Sequence, residues 1–216
     1  IEYLNEMPLV QLMIDDIEAD DVIAYICRMP SLQENIKIIV SMDKDFYQLC
    51  DDKTMIYSPV KDEFLNKKRI IEQFDIHPNN FSLARAIDGD KSDNLEGIKG
   101  AGLKTVAKKF NFLSEEKSYT LDDLFSHCKR DDTGLKLYKN ILSEKNKVEL
   151  NYKLMQLYSP HISVKSSQHI KTTIEKFKPS FNRTEVIKMM TIDGINEFNW
   201  NSLFQKFRSI VDEGRD

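Results

Sequence analysis

The sequence predicts an α/β fold that gives way, at about residue 65, to a mostly helical second half. Three observations predict it. Apolar runs at Pro8–Ile14 and Ile36–Met42 flank an amphipathic segment, which reads as strand, helix, strand and hence as a βαβ unit with a parallel sheet. From Asn66 onward the apolar spacing is helical, with no strong strand signal. Paired acids recur where strands end, the usual ligand crevice of an open α/β sheet.

Pro8 suits the edge of a first strand. Asp15 or Asp16 can cap a helix over about 17–29, with Val22, Ile23, Tyr25 and Ile26 on its apolar face and Pro30 as its stop. The β-branched run Ile36–Met42 reads as a buried parallel strand, and Phe46–Cys50 as one helical turn. Thr54–Tyr57 and Phe64–Leu65 are short strands. Asn66 caps a helix over Lys67–Phe74, and Asn79 or Asn80 caps another that ends near Ile87. Lys104–Phe110, Leu121–Cys128 and Leu135–Leu157 are helical, and Ser159-Pro160 breaks the last. Phe181, Phe198, Trp200, Phe204 and Phe207 read as core rather than as a base-stacking platform.

The chain has 216 residues, 41% hydrophobic and 31% charged, with a net charge of −4. It is no polycation, so nucleic-acid binding would need locally concentrated lysines. Cys27, Cys50 and Cys128 are far apart and match no zinc spacing, which points to reduced thiols in a cytoplasmic protein. No apolar run reaches membrane-spanning length.

Three acid groups carry the chemistry: Glu18, Asp20 and Asp21; Asp43 and Asp45; Asp90 and Asp93. Residues two apart on an extended chain share a face, so Asp43 and Asp45 are expected to point the same way. Hard oxygen donors in this number suit Mg²⁺ or Mn²⁺, not zinc, and two such ions could drive an in-line displacement at phosphorus. Each group alone also fits a helix cap, since acids are favoured in a first turn. Three groups at successive tips favour metal, because capping needs no paired acids. Asp88 and Glu96 read as capping or surface acids. Between Gly97 and Lys109 the charge turns basic around a glycine turn. It reads as a phosphate-backbone grip without base specificity, or as a plain αα-hairpin with solvated lysines, and the stretch alone does not choose.

EADD (18–21), SMDKDFYQL (41–49) and GDKSDNLEGIKGAGLKTVAKKF (89–110), in this order, resemble the 5′-nuclease (flap endonuclease) family. The helical tail resembles its bacteriophage RNase H/5′–3′ exonuclease branch. The resemblance is strong from about Asp15 to Phe110 and weak after about Leu150. It implies a PIN-like α/β nuclease domain with a central, mostly parallel sheet, its C-terminal part spanning 1–65. It further implies a helical region over 66–216 with a helix–three-turn–helix DNA-binding motif at about 86–110. Two Mg²⁺ or Mn²⁺ ions are implied, with Glu18, Asp20 and Asp21 at the first and Asp43, Asp45 and Asp93 at the second. Asp90 stands beside the second and completes the catalytic set. Ser92, Ile98 and Ala101 are the implied positions around a K⁺ ion. Gly97, Lys99, Gly100, Gly102, Lys104, Thr105, Lys108 and Lys109 are the implied contacts to DNA.

One departure stands out. The family carries a first strand with a metal-binding Asp, a further Asp and a basic arch, and nothing ahead of Glu18 matches them. The sequence reads as the C-terminal two-thirds of such an enzyme, with the N-terminal portion a potential separate chain. The function that follows is a structure-specific 5′-nuclease, an exonuclease, flap endonuclease or RNase H, acting on DNA with a 5′ flap or end or on an RNA–DNA hybrid. Replication proteins are potential partners, and the host cytoplasm is the setting if the source is viral. The rival readings are a non-catalytic duplex-binding fragment and a PIN-type ribonuclease.

Overall fold

The structure is a computed structural model that describes residues 1–159, 162–195 and 199–213. The chain forms two compact units, one of 18–161 and one of 1–17 with 162–216.

The unit of 18–161 begins with α2 (Ala19–Cys27), α1 being the short Glu2–Asn5 helix of the other unit. Strands β1 (Lys37–Val40) and β2 (Thr54–Ser58) pair in parallel, Lys37 opposite Thr54, and β3 (Glu63–Leu65) adds to β2 antiparallel. The three-stranded sheet therefore holds one parallel and one antiparallel pairing. A 3₁₀ turn over Lys44–Leu49 makes the crossover from β1 to β2. The expected burial of β1 holds on one face only. Ile39 is buried, while Ile36, Ile38, Val40 and Met42 are exposed.

Helix α3 (Lys67–Phe74) is capped as expected, with Asn66 Oδ1 accepting the Arg69 amide at 3.0 Å. Helix α4 (Phe81–Asp88) is the centre of this unit. Every residue from Phe81 to Ile87 is buried, the mark of a helix covered on all sides. It leads into a two-residue hairpin, β4 (Gly89–Asp90) with β5 (Leu95–Glu96), and then into α5 (Leu103–Lys109). Helix α6 (Leu121–Arg130) starts with a capping box between Thr120 and Asp123. The helix expected over 135–157 is two, α7 (Lys136–Ser143) and α8 (Lys145–Met155), broken at Glu144. Helix α8 packs on α4 through Asn151, whose Nδ2 donates to Ala86 O at 3.1 Å and Glu96 O at 3.0 Å.

In the other unit no strand forms over 8–14; that segment has no strand partner among the described residues and runs as coil. Helices α9 (Val164–Lys176), α10 (Arg183–Ile192) and α11 (Trp200–Glu213) follow. Tyr3 donates to Asp193, and the Asn182 amide donates to Glu6 O at 3.0 Å. Phe181, Trp200, Phe204 and Phe207 contact one another through ring pairs and bury Phe204, the core role expected of them. Phe198 and Pro160 lie outside the described residues. No described helix is long and apolar enough to cross a membrane.

Candidate metal centre

The turn after β1 sets the site. Asp43 Oδ1 accepts the Asp45 amide at 2.8 Å, which starts the 3₁₀ turn. Phe46, Tyr47 and Leu49 anchor that turn in the core, so Asp45 is carried inward and is only 7% exposed. Asp43 and Asp45 therefore do not share a face as an extended chain would require. Asp45 lines an acid pocket of about 230 Å³ with Glu18, Asp20, Asp21 and Asp93. Asp43 lines a neighbouring concavity of about 540 Å³ with Lys44, Arg85, Asp88 and Asp90. Glu18 is the N-cap of α2, and Asp20 and Asp21 occupy its first turn. All three face the pocket, although neighbours on a helix diverge by roughly 100°.

Asp45, Asp90 and Asp93 each bring a carboxylate oxygen to within 4.8 Å of the others. Asp90 and Asp93 sit on the β4–β5 hairpin, a turn rather than a helix. One Asp90 oxygen accepts from Arg85 and the other from the Ser92 hydroxyl and, at 2.8 Å, the Ser92 amide. Asp90 is thus tied by protein donors, while Asp93 is exposed. The donors are all carboxylate oxygens, a set that fits hard divalent cations and not zinc.

Arg85 was invisible to motif reasoning and lies at the heart of the arrangement. It is 4% exposed. Its Nε donates to Asp45 Oδ1 and its Nη1 to Gly89 O, each at 2.8 Å; it also pairs with Asp90 and, at 3.4 Å, with Asp88. The signal is in LARAID: a cation flanked by Leu83, Ala84, Ala86 and Ile87 must meet acids if it is buried. Burial raises the Asp45 pKa to about 6, more than the bonds from Arg85 lower it. Burial also opposes ionisation of Asp90, but its hydrogen bonds from Ser92 and the Arg85 charge outweigh that and hold its pKa below the usual value. For Asp88 burial wins and the pKa is raised.

Asp88 is a capping acid, as expected: its carboxylate accepts the Leu103 amide at the start of α5 and pairs with Arg85. The hairpin closes because Gly89 and Gly97 carry no side chain. A Cβ on Gly97 would lie 1.9 Å from Asp88 O. Gly97 thus serves close backbone packing. Gly100 takes φ +83° over open space. Lys99, Lys104 and Lys108 are exposed, Lys109 and Thr105 half-buried, and Gly102 caps α5. None of the four lysines is in an ion pair among the described residues. The Ala101 amide donates to Ile98 O at 3.0 Å and both residues are buried, whereas Ser92 is engaged with Asp90 on the exposed hairpin.

Residues 1–75 match the family model described as "5′-3′ exonuclease, N-terminal resolvase-like domain". The chain is 34% identical to the 5′-3′ exonuclease of Aquifex aeolicus over 72% of its own length and 50% of that protein's. It is 30% identical to the flap endonuclease Xni of a Shewanella species, over 72% of its own length and 57% of that protein's. By this family model and these relatives, the chain is similar to 5′-nucleases. It spans about half the length of the curated relatives it matches. The fold is also that of the bacteriophage T5 D15 flap endonuclease solved with DNA and metal ions. The TM-score is 0.62 at 20% identity, covering 76% of this chain and 62% of that one. The first two acid groups lie inside the matched 1–75, and Asp90, Asp93 and Arg85 lie beyond it.

Proposed function

We propose that this chain carries the metal-binding and duplex-gripping part of a structure-specific 5′-nuclease that hydrolyses phosphodiesters near the 5′ ends of DNA flaps or RNA–DNA hybrids. One observation carries the reading: acids from three separate segments, Glu18 to Asp21, Asp45 and Asp93, line a single pocket. Two Mg²⁺ or Mn²⁺ ions, when bound, would activate water and neutralise charge on the phosphate. Glu18, Asp20 and Asp21 at the start of α2, with Asp45 and Asp93, would offer the oxygens that hold them. Asp43 orients Asp45 through its amide, and Arg85 with Asp90 fixes the Asp45 carboxylate. No side chain is the nucleophile.

We assign the stretch from α4 through the β4–β5 hairpin to α5 as the helix–three-turn–helix motif. Lys99, Lys104, Thr105, Lys108 and Lys109 would meet duplex phosphates without reading bases. The turn of Ile98 and Ala101, with Ser92, is our proposed K⁺ position. The nuclease part then ends near residue 65 and the gripping part follows it.

The open edge of β1 and its exposed apolar residues Ile36, Ile38, Val40 and Met42 support a further partner. Parallel strands are normally covered on both faces. We infer that the remaining half of the nuclease fold covers them, supplied in cis or in trans.

The test is Mg²⁺-dependent cleavage of a 5′-flap DNA beside RNA and RNA–DNA duplexes, with that half supplied. Asp45→Asn and Asp93→Asn are expected to lower the rate on the order of 100-fold. Full activity in both variants would overturn the reading. Duplex binding with no cleavage would leave a binding module, and cleavage of RNA alone a PIN-type ribonuclease.

A further inference from the structure

The acid pocket has a wall that none of the three acidic motifs supplies. The C-terminal turn of α8 closes one side of it, with Lys153, Leu154, Met155 and Gln156. That turn is clamped from two directions. Asn151, 2% exposed, bonds to α4 and to β5. Gln48, on the 3₁₀ turn that carries Asp45, donates to Met155 O at 2.9 Å and accepts the Leu157 amide at 2.7 Å. The segment that presents Lys153 is therefore held to the same element that presents Asp45.

Lys153 is the one cation among the described residues that line the pocket. Five carboxylates share that lining, yet Lys153 forms no salt bridge with any of them among the described residues. Other lysines of α8 behave differently: Lys145 pairs with Glu149 at 3.2 Å, and Lys147 reaches Glu96 at 3.7 Å. A last-turn lysine is favoured by the helix dipole alone. That explanation does not account for an exposed lysine lining an acid pocket, where an incoming phosphodiester would otherwise meet five carboxylates and no cationic side chain among the described lining residues.

We propose that Lys153 contacts a phosphate oxygen of the nucleic-acid backbone as it enters the acid pocket, making α8 part of the substrate site. This rests on the nuclease reading, and it concerns a residue outside the acidic motifs and the glycine hairpin. The contact is electrostatic and reads no base.

The test is binding of a fluorescent 5′-flap DNA by anisotropy in Ca²⁺ across 50–300 mM KCl, for wild type, Lys153→Met, Lys153→Arg and, as a surface control, Lys68→Met. Loss of one phosphate contact is expected to reduce the slope of log K against log salt by about 0.7–0.9. Lys153→Met should also weaken binding about 3–10-fold at low salt, an order-of-magnitude expectation for one lost charge contact. Lys153→Arg should keep the wild-type slope, and so should Lys68→Met, whose partner is Glu72 on its own helix. Circular dichroism confirms that the variants fold. An unchanged slope and affinity in Lys153→Met overturns the proposal, as does a wild type that binds no DNA. Binding with the expected slope change but no Mg²⁺-dependent cleavage would remove the nuclease reading and leave the contact standing.

Discussion

Replacing Arg85 with Met keeps most of the volume and removes the charge that pairs with both Asp45 and Asp90. The cost can be worked from its partners. Asp45 already has a pKa near 6 in the fold, raised by burial, so without Arg85 it takes up a proton rather than remain a buried anion. At pH 7 that uptake costs about 1.4 kcal/mol, one pH unit above the present value. Asp90 loses a charge-assisted bond worth about 1.5–3 kcal/mol, and the buried Gly89 O is left without its guanidinium donor, which costs about 1 kcal/mol at the lower end for an unsatisfied acceptor. The expected destabilisation is about 4–5 kcal/mol at pH 7, within the usual range for breaking a buried ion pair. At pH 5 Asp45 is mostly protonated in the wild type too, so its share of the difference disappears and the loss shrinks by about 1.4 kcal/mol. Urea unfolding in EDTA, followed by far-UV circular dichroism at both pH values, measures this. A loss below about 1 kcal/mol at pH 7, or one that grows as pH falls, would refute the reasoning.

Gly97→Ala forces a Cβ to 1.9 Å from Asp88 O and should cost about 1–3 kcal/mol or more, whereas Gly100→Ala meets only its own positive φ and should cost about 1 kcal/mol. Chemical denaturation of the two variants ranks them, and the reverse order would contradict the packing role of Gly97. Asn151→Ala leaves the Ala86 and Glu96 carbonyls without their donor and should cost about 1–3 kcal/mol, with faster amide exchange across β4–β5 as the local readout. His77 is buried, with its Nδ1 accepting the Asn79 amide, and burial lowers its pKa. The unfolded chain therefore binds the proton first: the contribution of His77 is complete above about pH 6.5 and fades as pH falls through the lower folded value. The stability difference between wild type and His77→Gln should shrink in that direction; a difference that is flat from pH 8 to 5 would count against it.

Much of the local structure could be read from the sequence because its causes are local. Asn66 caps α3 and the run around Ile39 forms β1 within a residue or two of expectation. Pro8–Ile14 has the composition of a strand but no strand partner among the described residues, and pairing is not written in the segment itself. The break at Glu144 falls between two helices whose periodicity continues across it, so residue spacing alone does not reveal it. At the site, the acids were legible as three motifs, because each is a short pattern. Their division between two concavities was not, since it depends on Asp43 bonding to the Asp45 amide and on a 3₁₀ turn. Arg85 and Lys153 join the site through packing across 40 residues or more, which no local pattern encodes.

The measurement that bears most directly on the acid pocket as a divalent-metal centre is Mn²⁺ titration of this chain, followed by electron paramagnetic resonance at pH 7.5, where Asp45 is ionised. Wild type should take up Mn²⁺, and the Asp45→Asn, Asp93→Asn double variant should lose that uptake while keeping its circular dichroism spectrum. Equal Mn²⁺ affinity in wild type and double variant would contradict the assignment.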